Sequence, residues 1–260
     1  MSAHVSPVDL NASYYTENSA LQNNHAMQLL RNFQINPDAH ALDVGCGDGR
    51  ITAELAKLVP QGSVLGIDAA PGMIEFASRN FASSNLQFLH STAEEAQLPE
   101  QKYDAVVSFS CFHWLKDPAS AIRRLSSSLK PGGSFLVLTY PKESPYYQYL
   151  QAALKHYPEY DRLSSYHTML AIKDYRTLFA ENNLEIVDFQ QQHLVASYEN
   201  TKSVTAFIKG WLNSYVPLPE ELQDPFLQRV DQIVDTAPEL HVEEMIDIPY
   251  TALVIQAKKI

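Results

Sequence analysis

Apolar residues along this chain alternate between short unbroken runs and longer stretches in which they recur every three or four positions. The first pattern marks strands covered on both faces, the second the inward stripe of a helix. Residues Ser19 to Phe33 read as a helix, with Leu21, Ala26, Leu29, Leu30 and Phe33 on one side. Strands are predicted at about His40–Val44, Ser63–Asp68, Leu86–His90, Ala105–Phe109 and Ser134–Thr139, separated by segments of helical spacing. One such segment carries Ile51, Ala53, Leu55 and Leu58, and another opens at Pro71, where a missing N–H is harmless. A third is capped by Asp117 before Pro118 and continues through Ile122, Leu125 and Leu129. This βαβα rhythm predicts an α/β fold on a doubly wound, mostly parallel sheet.

Beyond Tyr140 the rhythm changes. Pro145–Leu170 is tyrosine-rich and reads as helical in pieces, Asp174–Asn183 as a helix and Leu184–Val195 as a strand. Val204, Phe207, Ile208, Trp211, Leu212 and Tyr215 recur at helical spacing behind a Ser203 cap. A helix at about Pro219–Val234 and a strand at about Ile246–Ala257 close the chain. The expectation is one domain. Residues 1–140 supply an N-terminal helix and a ligand-binding core, and residues 141–260 supply helical cap insertions with the last two strands.

The chemistry is concentrated where the first strand ends. Ala41-Leu42-Asp43-Val44-Gly45-Cys46-Gly47-Asp48-Gly49-Arg50 is a strand that breaks into a glycine loop and opens a helix. Loops at the carboxyl ends of such strands are where open α/β sheets bind ligands. A dinucleotide fingerprint would be G-x-G-x-x-G, with a pyrophosphate on the helix N-terminus. Here the glycines are Gly45, Gly47 and Gly49, and the sixth position is Arg50. That spacing favours S-adenosylmethionine, which has no pyrophosphate. The second strand, Val64-Leu65-Gly66-Ile67-Asp68, ends in a carboxylate suited to a ribose diol, with Ala69 adjoining it. Asp43 is expected to face the cationic end of the same cofactor, through its amino group or a water.

Composition narrows the partners. Thirty acidic against 19 basic residues give a formal charge of −11, a surface that repels phosphate backbones and disfavours a nucleic-acid substrate. Two cysteines, Cys46 and Cys111, suggest no disulfide framework and a reducing, cytoplasmic setting. No signal peptide is visible at the start, and the strongest apolar run, Ser134–Leu138, is far too short to span a bilayer, so no membrane association is expected. Oligomeric state is open.

Five elements in order resemble class I S-adenosylmethionine-dependent methyltransferases. They are Asp43-Val44-Gly45-Cys46-Gly47-Asp48-Gly49, Gly66-Ile67-Asp68, Ser91-Thr92-Ala93-Glu94, Tyr103-Asp104-Ala105-Val106 and Leu129-Lys130-Pro131-Gly132-Gly133. The resemblance implies a Rossmann-like sheet of seven strands, the last antiparallel. It implies that Thr92 and Ala93 cradle adenine and that Ser108 and Phe109 run beneath the methionine part. Ala70 departs from the pattern, since a capping serine or threonine is commoner before Pro71. Ser19-Ala20-Leu21-Gln22 and Ser108-Phe109-Ser110-Cys111-Phe112-His113-Trp114 are further similar to small-molecule carboxyl O-methyltransferases. The nearest groups are those of juvenile-hormone acid and trans-aconitate, with malonyl-carrier-protein methyltransferases further off. From the juvenile-hormone-acid group, Gln22 and Trp114 are implied to hold an acceptor carboxylate.

Methyl transfer asks the protein mainly to align an acceptor with the sulfonium methyl and to exclude water. An ionised carboxylate acceptor needs no base, whereas a hydroxyl or amine does. His113 would be that base, or else it packs as a helix-start histidine. Trp114 reads either as an N–H donor or as aromatic packing, and Gln22 as an acceptor ligand or a solvated helix residue. Tyr146, Tyr147, Tyr149, Tyr157, Tyr160 and Tyr166 read mostly as core with polar tips. His156 and His167 do not make a metal site, and no metal is expected. The favoured reading is a methyltransferase that esterifies a small acid, leaving S-adenosylhomocysteine. The alternatives are a hydroxyl or amine methyltransferase and a non-catalytic cofactor-binding protein.

Overall fold

A computed structural model describes residues 20–160 and 168–260, with the side chains of residues 20–22 and 214 outside that description. Ser19, Tyr166 and His167 therefore lie outside the described residues. Helix α1 (Ala20–Asn32) precedes β1 (His40–Val44), α2 (Arg50–Leu58), β2 (Ser63–Asp68), α3 (Pro71–Phe81) and β3 (Leu86–His90). Strand β4 (Tyr103–Phe109), a 3₁₀ turn at Phe112–Trp114, α4 (Pro118–Ser128) and β5 (Leu129–Thr139) complete the parallel part. Then come α5 (Tyr146–Leu154), α6 (Ile172–Glu181), β6 (Leu184–Tyr198), α7 (Thr201–Lys209), α8 (Leu212–Tyr215), α9 (Glu220–Asp235), β7 (His241–Val242) and β8 (Met245–Lys259).

The strands form one sheet in the order β3-β2-β1-β4-β5-β8-β6, with β7 paired to β8. β1 to β5 are parallel, and β8 runs antiparallel between β5 and β6. This is the doubly wound, Rossmann-like arrangement expected, with the two-residue β7 added. The apolar runs explain it. Leu42, Val44, Val106, Val107, Phe135 and Val137 are almost wholly buried because helices cover both faces. On one face Leu30, Leu55 and Val64 join the cap residues Leu150, Ile208, Phe226 and Val230 in a single cluster. On the other, Ile122 and Leu125 of α4 meet Tyr175 and Phe179 of α6. Each fully buried side chain of this size contributes roughly 1.5–3 kcal/mol.

One consequence of the antiparallel insertion positions the site. β5 pairs with β8 only from Thr139↔Leu253 to Ser134↔Lys258. β6 stays paired with β8 as far as Tyr198↔Ile246. The β6–β8 ribbon therefore rises beyond the carboxyl ends of the parallel strands and becomes a wall.

Several local expectations are corrected. The Ser203 cap is displaced to Asn200, whose side chain accepts from the Ser203 N–H at 3.0 Å. The periodic stretch from Val204 to Tyr215 is two helices, because α7 ends at Gly210 and α8 restarts after Trp211. Leu129 begins β5 rather than continuing α4. α6 starts at Ile172, since the Asp174 carboxylate accepts from the Ala171 N–H at 3.1 Å and organises the turn before itself. Leu58 faces solvent, and Thr52 takes a buried place on α2 instead.

Candidate active site

Strand order reverses between β1 and β4, the switch point at which open α/β sheets leave a crevice. A cavity of about 560 Å³ lies there. Its wall divides by sheet position. Gly45 and Gly47 after β1, Asp68 and Ala69 after β2, and Ser91 to Glu95 after β3 line one half. Tyr140 after β5, Ala196 and Tyr198 on β6, Tyr250 on β8, and the cap residues Tyr146, Phe207 and Trp211 line the other.

In the first half the glycine loop turns tightly. Gly45 has φ +73°, and a Cβ there would collide with Cβ and Sγ of Cys111. Gly47 has φ +53°, and a Cβ there would meet nothing within 4 Å, so its backbone is open to the cavity. Asp68 is fixed by its own loop. Its two oxygens accept from the Gly47 N–H at 2.9 Å and the Ala70 N–H at 2.8 Å. Each oxygen keeps a second lone pair, the arrangement a vicinal diol needs. Burial pushes the Asp68 carboxyl up, and the two N–H bonds oppose it. Ala70 offers no side-chain oxygen to the first turn of α3, and its own N–H is taken by Asp68.

Asp43 sits one layer below. It is buried at 2% exposure, off the cavity wall, and accepts from the Thr52 hydroxyl at 2.7 Å. Burial raises its carboxyl to about 7, against the Thr52 hydrogen bond and with help from the nearby Asp68 charge. Ser108 is likewise beneath the wall, its hydroxyl donating to the Val44 carbonyl at 2.8 Å and tying β4 to β1. Phe109 reaches the cavity, as do Thr92 and Ala93. Glu94 turns its carboxylate to the Lys116 and Asp117 backbone N–H groups, at 2.9 and 3.2 Å. Cys46 and Cys111 are free thiols, both pushed up by burial and nearby carboxylates.

In the second half, His113 and Trp114 both line the cavity from the 3₁₀ turn after β4. His113 is buried, with Nδ1 3.3 Å from the Thr139 hydroxyl, which is itself 3.2 Å from the Tyr175 hydroxyl. Its ring centroid lies 4.6 Å from that of Trp114 and 5.0 Å from that of Tyr140. Gln22 stands in the first turns of α1, and its side chain lies outside the described residues. Tyr146 and Tyr147 do face the cavity, whereas Tyr149 packs elsewhere on α5. Burial pushes the Tyr140, Tyr146 and Tyr147 hydroxyls up, and Tyr198 up to about 12, so all four stay protonated donors at neutral pH. Among the described residues, no group of three or more His, Cys, Asp or Glu could hold a metal, and no helix is long and apolar enough to cross a membrane.

Sequence reasoning missed Thr52, Tyr140, Tyr198, Tyr250 and Trp211 as site residues. Thr52 carried a signal, since it follows the glycine loop within the first turn of a helix. The others come from the end of β5, from β6 and β8, and from the cap, and no spacing rule links those to the loop after β1.

Residues 42–137 match the methyltransferase domain family. Over 132 residues the chain is 37% identical to the malonyl-[acyl-carrier protein] O-methyltransferase of Acetivibrio thermocellus, which covers 50% of this chain and 46% of that protein. Over 176 residues it is 29% identical to the enzyme of that name from a Paenibacillus species, covering 65% and 63%. The chain thus spans about half the length of the curated relatives it matches. The YcgJ protein of Bacillus subtilis has the same fold, with a TM-score of 0.65, 20% identity, and 91% and 98% of the two chains covered. The glycine loop, the acid-tipped second strand and the sheet order give the chain the Rossmann-like fold seen in methyltransferase structures. Residues 42–137, which carry these elements, are the part of the chain that matches the methyltransferase domain family.

Proposed function

We propose that this protein transfers a methyl group from S-adenosylmethionine to a small carboxylic acid, giving the O-methyl ester. The single observation that carries the reading is the acceptor half of the cavity. It is lined by tyrosines and tryptophans, and the carboxylates of the described wall, Asp68, Glu94, Glu95 and Asp117, lie on or beside the other half. A donor-rich wall without carboxylates suits an anionic acceptor, and an ammonium acceptor would find no counter-charge there. The malonyl-carrier-protein relatives, named as O-methyltransferases, point the same way.

The open backbone at Gly47 and the two free lone pairs of Asp68 fit the cofactor. Gly45, Gly47 and Phe109 would hold its amino-acid end, Asp68 and Ala69 its ribose, and Thr92 and Ala93 its adenine. Asp43 and Ser108 would support that loop from below, Asp43 by its charge and Ser108 by its bond to β1. When bound, S-adenosylmethionine supplies a sulfonium methyl whose carbon joins the acceptor oxygen while the C–S electron pair returns to sulfur. The chain's own part is to bind, orient and exclude water; such positioning supplies on the order of 7–11 kcal/mol in well-oriented systems. Trp114 and the tyrosine hydroxyls donate to the acceptor. His113, held at Nδ1 by Thr139, would complete the wall for a carboxylate.

That same tether favours one second reading. A histidine fixed at Nδ1 and facing a cavity is placed as a base for a hydroxyl acceptor. Product analysis on matched acids, alcohols and amines separates the two. Ester formation from acids that survives His113→Gln supports the carboxylate reading. Methylation confined to alcohols or amines and abolished by His113→Gln overturns it.

A further inference from the structure

We infer that the hydroxyl of Ser110, turned into place by Tyr140, binds the acceptor's carboxylate through the oxygen that is not methylated. This rests on the carboxylate reading above and adds to it an acceptor-binding residue and the partner that positions it.

Backbone strain singles Ser110 out. Among the described residues, four other than glycine have a positive φ. Gln101 lies in the turn before β4, Asn183 between α6 and β6, and Glu243 between β7 and β8, where a tight reversal of the chain accounts for it. Ser110, at φ +58°, directly follows β4 and is the one of the four on the cavity wall. Its N–H donates to the Leu138 carbonyl at 2.8 Å, which holds the turn that leads into the 3₁₀ segment of His113 and Trp114. Glycine takes this backbone freely, whereas a serine there is strained, and strain of this kind gathers at ligand sites. What serine adds over glycine is its hydroxyl.

The hydroxyl has a proton to give. Ser110 Oγ and the Tyr140 hydroxyl are 3.2 Å apart, and neither has another hydrogen-bond partner among the described residues. Each hydroxyl carries one proton. One of the two closes the pair, so one O–H remains to donate elsewhere. The phenol is the stronger acid and the better donor, which directs Tyr140 to Ser110 and leaves the Ser110 proton free. Ser110 is also the more open of the two, half-buried on the cavity wall against 8% exposure for Tyr140. The Tyr140 ring is set by His113 and Tyr250, whose ring centroids lie 5.0 and 6.1 Å away. Burial pushes the Tyr140 hydroxyl up, so the pair donates and does not act as a base. Such a donor suits an acceptor that arrives ionised, because the charge strengthens the hydrogen bond and no proton has to be removed.

The test follows methyl-ester formation by the full chain with octanoate, phenylacetate and benzoate, and S-adenosylhomocysteine affinity by calorimetry. Ser110→Ala and Ser110→Gly both remove the hydroxyl, and each should raise the acceptor KM by about 10-fold or more, the usual worth of a hydrogen bond to a charged group. Their affinity for S-adenosylhomocysteine should match the parent's, which also shows that both are folded. Ser110→Gly should unfold at a higher denaturant concentration than Ser110→Ala, because only glycine relieves the left-handed backbone. Stability then follows the backbone while KM follows the hydroxyl, a separation that a merely structural serine would not give. Tyr140→Phe should raise the acceptor KM in the parent and add nothing in a Ser110→Ala background, since it acts through Ser110. An acceptor KM unchanged in Ser110→Ala or restored in Ser110→Gly would overturn the inference. So would a Ser110→Gly midpoint no higher than that of Ser110→Ala, or an additive Tyr140→Phe. If acids are esterified while the Ser110 variants keep the parent KM, this inference fails alone. If no acid is esterified, the carboxylate reading fails with it.

Discussion

Asp43 is buried and Asp68 half-buried within the same loop region, and their surroundings set them different tasks. Asp68 is aimed outward by two backbone N–H groups and retains acceptor capacity. Asp68→Ala should weaken S-adenosylhomocysteine binding by about 1–3 kcal/mol, read by calorimetry. Among the described residues Asp43 accepts from the Thr52 hydroxyl, and burial lifts its carboxyl to about 7. In the free protein it is protonated below that pH and ionised above it. A cationic ligand favours the ionised form, so binding below about pH 7 must release a proton. Affinity for S-adenosylmethionine should therefore rise between about pH 6 and pH 8, and the rise should flatten in Asp43→Asn. An affinity that falls over that interval would contradict this account.

At the scale of elements, the acceptor half depends on pieces that are not themselves in the parallel sheet. The β6–β8 ribbon overshoots β5 and brings Ala196, Tyr198 and Tyr250 to the cavity. α7 delivers Phe207, and the break after it delivers Trp211. The start of α7 is set by Asn200, whose carboxamide oxygen accepts from the Ser203 N–H. Asn200→Ala should cost about 1 kcal/mol in chemical denaturation. Because α7 supplies Phe207 to the acceptor half, the variant should raise the KM for the acceptor more than that for S-adenosylmethionine. An equal effect on both would show that the two halves of the cavity are not separable in this way.

For the whole molecule, the cap is continuous with the sheet. Leu55 of α2 and Val64 of β2 share one buried cluster with Leu150, Ile208, Phe226 and Val230 of the cap helices. A cap that shares its core with the sheet should unfold with it. Far-ultraviolet circular dichroism and tryptophan fluorescence, which reports Trp114 and Trp211, should give coincident denaturation curves. S-adenosylhomocysteine should shift both to the same extent. An earlier fluorescence transition would make the cap an independent unit.

Much of this architecture was legible along the chain, because it rests on local rules. Apolar runs marked β1 to β5, Pro71 and Pro118 marked helix starts, and the glycine loop followed by Asp68 marked the cofactor half. All of those signals lie within a few residues of the structure they dictate. Ser203, Leu129 and Leu58 misled for a local reason too, since caps and strand starts depend on which N–H groups are left unpaired. The acceptor half was not legible. Trp211 and Phe207 have the spacing of ordinary core residues, and only the break at Gly210 and the overhang of an antiparallel β8 turn them toward a cavity. Ser108 and Asp43 show the converse, adjoining the site in sequence while their side chains bond beneath its wall. Sequence by itself determined the sheet, its winding and the loop that suits an adenosyl ligand, since those come from periodicity and backbone freedom. Only tertiary structure decided which distant side chains face one another across the cavity, because that depends on strand order and on how far each strand extends past its neighbour.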